Sequence, residues 1–99
     1  MTNTVTKTKT KAFDAAKYLD TPEDLAELLK DALASGHRGY IAAALGTIAR
    51  AYGMSKLAEE TGLPRSTLYN ATSEDGNPTL ETLLAITSKV GVRLSAVVV

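Results

Sequence analysis

Residues 54–78 read Met-Ser-Lys-Leu-Ala-Glu-Glu-Thr-Gly-Leu-Pro-Arg-Ser-Thr-Leu-Tyr-Asn-Ala-Thr-Ser-Glu-Asp-Gly-Asn-Pro, and no other stretch constrains the fold as tightly. Leu57 and Ala58 are inward positions of a first short helix, and the small Ala58 lets a second helix cross close above it. Gly62 follows where the chain must turn sharply, and glycine alone takes positive φ there without strain. Leu63 is expected to plug the turn into the core. Leu68 and Ala71, three apart, are the inward positions of the second helix.

Two short helices around a tight turn have the spacing of a helix-turn-helix, whose second helix enters the DNA major groove. The plain alternative is an ordinary helical hairpin. The outward positions of the second helix weigh against it: Arg65, Ser66, Thr67, Tyr69 and Asn70 are side chains able to hydrogen-bond to phosphates and base edges, and none is acidic. A merely solvated helix more often mixes in Glu or Asp.

At 99 residues the chain is long enough for one domain with a modest core. It has no cysteine, which removes disulfides and thiolate metal sites. No apolar run approaches the roughly 20 residues that span a bilayer, and there is no signal-peptide pattern. A cytoplasmic protein is expected. The net charge of zero argues against strong non-specific binding to nucleic acid, but the charges are unevenly placed. Residues 1–11 carry +3 from Lys7, Lys9 and Lys11. Residues 12–36 carry −4, with Asp14, Asp20, Glu23, Asp24, Glu27 and Asp31 against Lys17 and Lys30, and residues 37–99 carry +1. An acidic front suits a basic partner better than it suits DNA; a solvated helix face explains it equally.

Taken in order, residues 1–11 are expected to be a disordered basic tail, and residues 12–99 a single domain. Phe13, Ala16 and Leu19 recur at helical spacing, and Phe13 is expected in the core. Thr21 caps the next helix, with Pro22 at its first position and Glu23 and Asp24 at its positive end. Leu25, Leu28, Leu29, Ala32 and Leu33 form its apolar stripe and Gly36 ends it. His37, Arg38 and Gly39 form a short connection. A lone histidine without Cys or a second His nearby is not expected to bind metal.

The spacing predicts a helix over residues 40–52, with Ile41, Ala44, Leu45, Ile48 and Tyr52 inward. Gly46 within it costs about 1 kcal/mol relative to Ala and suggests a close helix contact. Gly53 separates it from the helix over 54–61, and the second helix of the pair runs over 64–72. Residues 73–78 form a turn-rich loop. Thr79 caps the last helix, with Glu81 in its first turn and Leu80, Leu83, Leu84, Ile86 and Val90 as apolar contacts, and Gly91 closes it. Residues 92–99, Val-Arg-Leu-Ser-Ala-Val-Val-Val, favour a strand. With no second strand in the chain, it is expected to pair with its two-fold mate in another subunit or to pack as an ordered tail.

Leu57-Ala58, Gly62-Leu63, Leu68, Asn77-Pro78-Thr79-Leu80 and Val90-Gly91-Val92 resemble the helix-turn-helix of the phage-repressor, or Xre-type, family. The span from Phe13 through Tyr18-Leu19-Asp20 and the acidic Leu-rich helix to residues 45–51 resembles a narrower family, the HigA-like antidote proteins of addiction modules. The resemblance covers residues 12–99 and rests on the combined pattern. It implies an all-α fold of five to six helices with a phage-repressor-like helix-turn-helix and a short C-terminal β-strand. It further implies a DNA-binding antitoxin that neutralises a small RelE-type RNase toxin and represses its own operon as a homodimer. Carried across, Arg65, Ser66 and Asn70 fall where base-edge contacts are made, and Thr67, Tyr69 and Thr72 where phosphate contacts are made. Pro64 departs from the pattern, standing where a Ser or Thr cap is usual.

On this reading the partners are operator DNA and a small basic toxin, met by Asp20, Glu23, Asp24, Glu27 and Asp31, with no cofactor, metal or membrane. A stand-alone prophage-type repressor without a toxin is the runner-up. An adaptor that keeps the motif only as a protein-contact surface is a third, favoured by the neutral charge. No nucleophile–base pair, phosphate-binding glycine loop or metal set points to an enzyme.

Overall fold

A computed structural model describes residues 21–73 and 75–99. The expected tail over 1–11, the apolar segment with Phe13, and Asp20 lie outside the described residues. What is described is all-helical: α1 Pro22–Ser35, α2 Arg38–Tyr52, α3 Met54–Thr61, α4 Arg65–Thr72 and α5 Leu80–Val90. No helix among the described residues is long and apolar enough to cross a membrane.

Helix α2 is the hub. Its small and apolar residues reach most of the way round: Ala42, Ala44, Leu45, Gly46, Ile48 and Ala49 are all buried. A helix apolar on so many sides must be surrounded, and α2 packs against each of the other four helices. Every helix sends a side chain into one core: Leu25 and Leu29 from α1, Leu45, Ile48 and Ala49 from α2, Leu57 from α3, Leu68 from α4, and Ile86 and Val90 from α5. Each fully buried Leu or Ile contributes about 1.5–3 kcal/mol.

Helix ends follow local chemistry. The Thr21 hydroxyl accepts from the Asp24 N–H at 3.2 Å, and the Thr79 hydroxyl accepts from the Thr82 N–H at 3.1 Å, so both expected caps form. The connection between α1 and α2 is shorter than expected. Gly36 turns at φ 65°, His37 is the extended residue before the helix, and Arg38 and Gly39 already belong to α2. The His37 carbonyl accepts from the Ile41 N–H at 3.0 Å, which closes the first turn of α2 directly after the extended residue.

The strand expected over 92–99 does not form, and no strand occurs among the described residues. A strand is completed by its neighbour's hydrogen bonds, and no described residue pairs with this segment as a strand. Val92 instead donates its N–H to the Thr87 carbonyl at 2.9 Å, closing the end of α5. Val92 and Leu94 pack on the core, whereas Val97, Val98 and Val99 are exposed. Leu80 and Leu84, expected as core contacts, also face outward, because Leu83, Ile86 and Val90 occupy the inner side of α5.

Candidate functional site

Helices α3 and α4, each of 8 residues, are too short to be stable alone. Packing and the connection over 62–64 hold them. Gly62 takes φ 78° and returns its N–H to the Ala58 carbonyl. Thr61 fastens the corner from the side: its hydroxyl donates to the Leu57 carbonyl at 2.7 Å and accepts from the Leu63 N–H at 3.2 Å. Leu63 packs on the core, as its position in the turn suggests. Pro64 precedes α4 at φ −59° and provides no side-chain cap.

The inner side of α4 is seated by Leu68 and Ala71, both buried. Its outer side presents Arg65, Ser66, Tyr69 and Asn70, all exposed. Arg65 and Tyr69, one turn apart, lean together: the guanidinium carbon lies 5.9 Å from the ring centroid, and Nη2 donates to the phenol oxygen at 3.4 Å. That contact orients a long flexible side chain along the helix surface. Thr67 is half-buried. Thr72 turns away from the group, for its hydroxyl donates to the Leu68 carbonyl at 2.7 Å and its backbone lies against α2.

The features that seat α4 were only partly visible in the residues. A Cβ on Gly46 would stand 2.7 Å from the Thr72 carbonyl oxygen, so α2 and α4 meet backbone to backbone, the close contact Gly46 suggested. Gly76 is buried, and a Cβ there would stand 2.6 Å from the carbonyl oxygens of Asn70 and Ala71 and 2.8 Å from that of Ser73. Arg38 was assigned no role in sequence. Its guanidinium donates to the Gly76 carbonyl at 2.9 Å and the Asp75 carbonyl at 3.3 Å, tying the start of α2 to the loop after α4. No local pattern announces a bond across that separation.

Beside this pair, the Tyr52 hydroxyl at the end of α2 donates to a Glu60 carboxylate oxygen on α3, and the Lys56 ammonium sits 4.5 Å from the Tyr52 ring centroid. The hydrogen bond to Glu60 raises the Tyr52 pKa above its ordinary value, with desolvation and the Glu60 charge adding to it.

The acidic residues stand elsewhere. Glu23, Asp24, Glu27 and Asp31 are exposed on α1, on the side away from Leu25, Leu29 and Ala32. Glu23 and Asp24 also lie at the positive end of α1. Glu27 pairs with Lys30 at 3.8 Å, an exposed pair of little energetic consequence. Thus the polar face of α4 and the acidic face of α1 lie on two different helices, each packed against the hub α2. Among the described residues no group of three or more His, Cys, Asp or Glu side chains is arranged to hold a metal ion.

A family model described as "probable addiction module antidote protein" matches residues 9–98. The chain belongs to this antidote family. The antidote is also 40% identical over 76 residues to an uncharacterized protein of Haemophilus influenzae, covering 77% of this chain and 78% of that one. No solved structure matches the antidote. Membership in this family implies a toxin as partner.

Proposed function

We propose that this antidote has two activities: it neutralises a small basic RNase toxin of the RelE type, and it represses its own operon as a DNA-binding dimer. The observation that carries the DNA half is the outer face of α4. Arg65, Ser66, Tyr69 and Asn70 project together, without an acidic neighbour on that helix, from a base set by Leu68, Ala71 and the Gly46 crossing. In the groove, Arg65 serves two guanine acceptors and Asn70 an adenine donor and acceptor, each worth roughly 1–3 kcal/mol of discrimination. Ser66 serves a further base edge, and Thr67 and Tyr69 serve phosphates. So few base contacts discriminate weakly, and a two-fold dimer reading half-sites a helical turn or a multiple apart compensates. In this reading α3 and α4 are a helix-turn-helix of the Xre type.

The acidic face of α1, with Glu23, Asp24, Glu27 and Asp31, supports the toxin half, since an RNA-cutting protein carries basic groups where its substrate lies.

The test is to co-express the tagged chain with the small open reading frame beside its gene. Co-purification together with restored growth supports neutralisation. A sequence-specific footprint on its own promoter without any complex would leave a stand-alone repressor, and no DNA binding even at low salt would remove the DNA half.

A further inference from the structure

Helix α4 ends differently from its neighbours. Each of the other described helices stops at a glycine whose N–H returns to one of the helix's own last carbonyls: Gly36, Gly53, Gly62 and Gly91. Helix α4 stops at Ser73, which runs extended at φ −81°. The last carbonyls of a helix have no partner within it and must find one outside. Here the following loop turns back to meet them. The Ser73 hydroxyl donates to the Asn70 carbonyl at 3.3 Å, and Gly76 presses so close to the Asn70 and Ala71 carbonyls that a Cβ has no room. Gly76 is itself held from two sides. Its N–H donates to the Ser73 carbonyl at 2.8 Å, and its carbonyl accepts from Nη1 of Arg38 at 2.9 Å. The same nitrogen donates to the Asp75 carbonyl at 3.3 Å. These two bonds reach the loop from the far end of α2, and they set a cation beside the negative end of α4, the favourable sign for a helix dipole.

We propose that Arg38 is a positioning residue for DNA recognition: it clamps Gly76 against the end of α4 and so fixes the angle at which Asn70 meets a base. The proposal rests on the reading of α4 as the helix in the groove, and adds to it a residue that touches no base. Place along α4 decides which contact depends on the clamp. Asn70 stands in the last turn, and its own carbonyl lies against Gly76. Arg65 opens the helix at the other end, where the Leu68 N–H donates to the Pro64 carbonyl at 3.1 Å and closes the first turn. Loosening Gly76 therefore disturbs Asn70 and spares Arg65.

The test compares the full chain with Arg38→Met, which keeps the length of the side chain without its donors, and with Arg38→Lys, whose ammonium can donate to the same two carbonyls. Amide hydrogen exchange without DNA reads the clamp. The Gly76, Ala71 and Thr72 amides should exchange faster in Arg38→Met, those of Leu57 and Leu68 should not, and Arg38→Lys should restore most of the protection. Operator variants then read the consequence, with the base pairs assigned by Asn70→Ala and Arg65→Ala. Arg38→Met should lose roughly tenfold of its discrimination at the Asn70 base pair and keep it at the Arg65 base pair. Unchanged exchange at Gly76 overturns the proposal, as does equal loss at both base pairs. A uniform fall in affinity with a weaker salt dependence also overturns it, and would make Arg38 a phosphate contact. A wild type that binds no operator DNA removes the reading of α4 and this proposal with it, whereas a wild type that binds while Arg38→Met discriminates as well at both base pairs overturns this proposal alone.

Discussion

The Thr72 carbonyl oxygen lies 2.7 Å from the point where a Cβ on Gly46 would stand. Helix propensity alone says that Gly46→Ala should stabilise α2 by about 1 kcal/mol. The contact reverses that sign, because the obstructing atom is backbone and cannot swing aside. Overpacking a tight contact costs roughly 1–3 kcal/mol. Gly46→Ala is therefore expected to lower the melting temperature, and a variant that melts higher would show that α2 and α4 do not meet this closely.

Leu68 is fully buried and is the largest side chain that α4 places in the core. Leu68→Ala should cost about 2–5 kcal/mol, the range for deleting a buried leucine side chain. Urea denaturation followed by circular dichroism measures it. A loss below 1 kcal/mol would mean that α4 is not seated on Leu68.

Arg65 is exposed and its contact with Tyr69 lies on the surface of α4, so Arg65→Ala should leave the melting temperature nearly unchanged. Its expected effect is on DNA. Binding to the operator should fall and preference at one base pair should relax by roughly 1–3 kcal/mol. An unchanged footprint and unchanged preference would remove Arg65 from the reading face.

The Tyr52–Glu60 bond has a pH signature. The folded pKa of Tyr52 is raised above its ordinary value, chiefly by that hydrogen bond. The bond's contribution is then fully present below the ordinary tyrosine pKa, near 10, and is lost as pH rises through the folded value. Wild type should melt above Tyr52→Phe at neutral pH, and the gap should close in alkaline buffer. A gap that stays constant or widens with pH would contradict the assignment.

Much of this architecture is legible in order along the chain. The caps at Thr21 and Thr79, the breaks at Gly36, Gly53, Gly62 and Gly91, and the buried Leu57, Leu68 and Ala71 all follow from local rules, because a helix end depends on its few nearest residues. The resemblance to antidote proteins rests on residues spread over the same span that the family model matches.

Burial within a stripe is a different matter. Leu80, Leu83 and Leu84 are alike in sequence, yet only Leu83 packs on the core, because the neighbours of α5 cover one side and leave the other. The C-terminal valines have strand-forming chemistry, but a ladder requires a second edge, and propensity cannot supply one.

What the sequence determined by itself was the presence of the five described helices, most of their ends and the chemistry of α4's outer face, since each arises from neighbours in the chain. Tertiary structure alone decided that Arg38 reaches the carbonyls of Asp75 and Gly76, that Thr72 is turned into α2, and that Leu80 and Leu84 look outward. These depend on which helices come to lie side by side, and that is settled only when the whole core packs around α2.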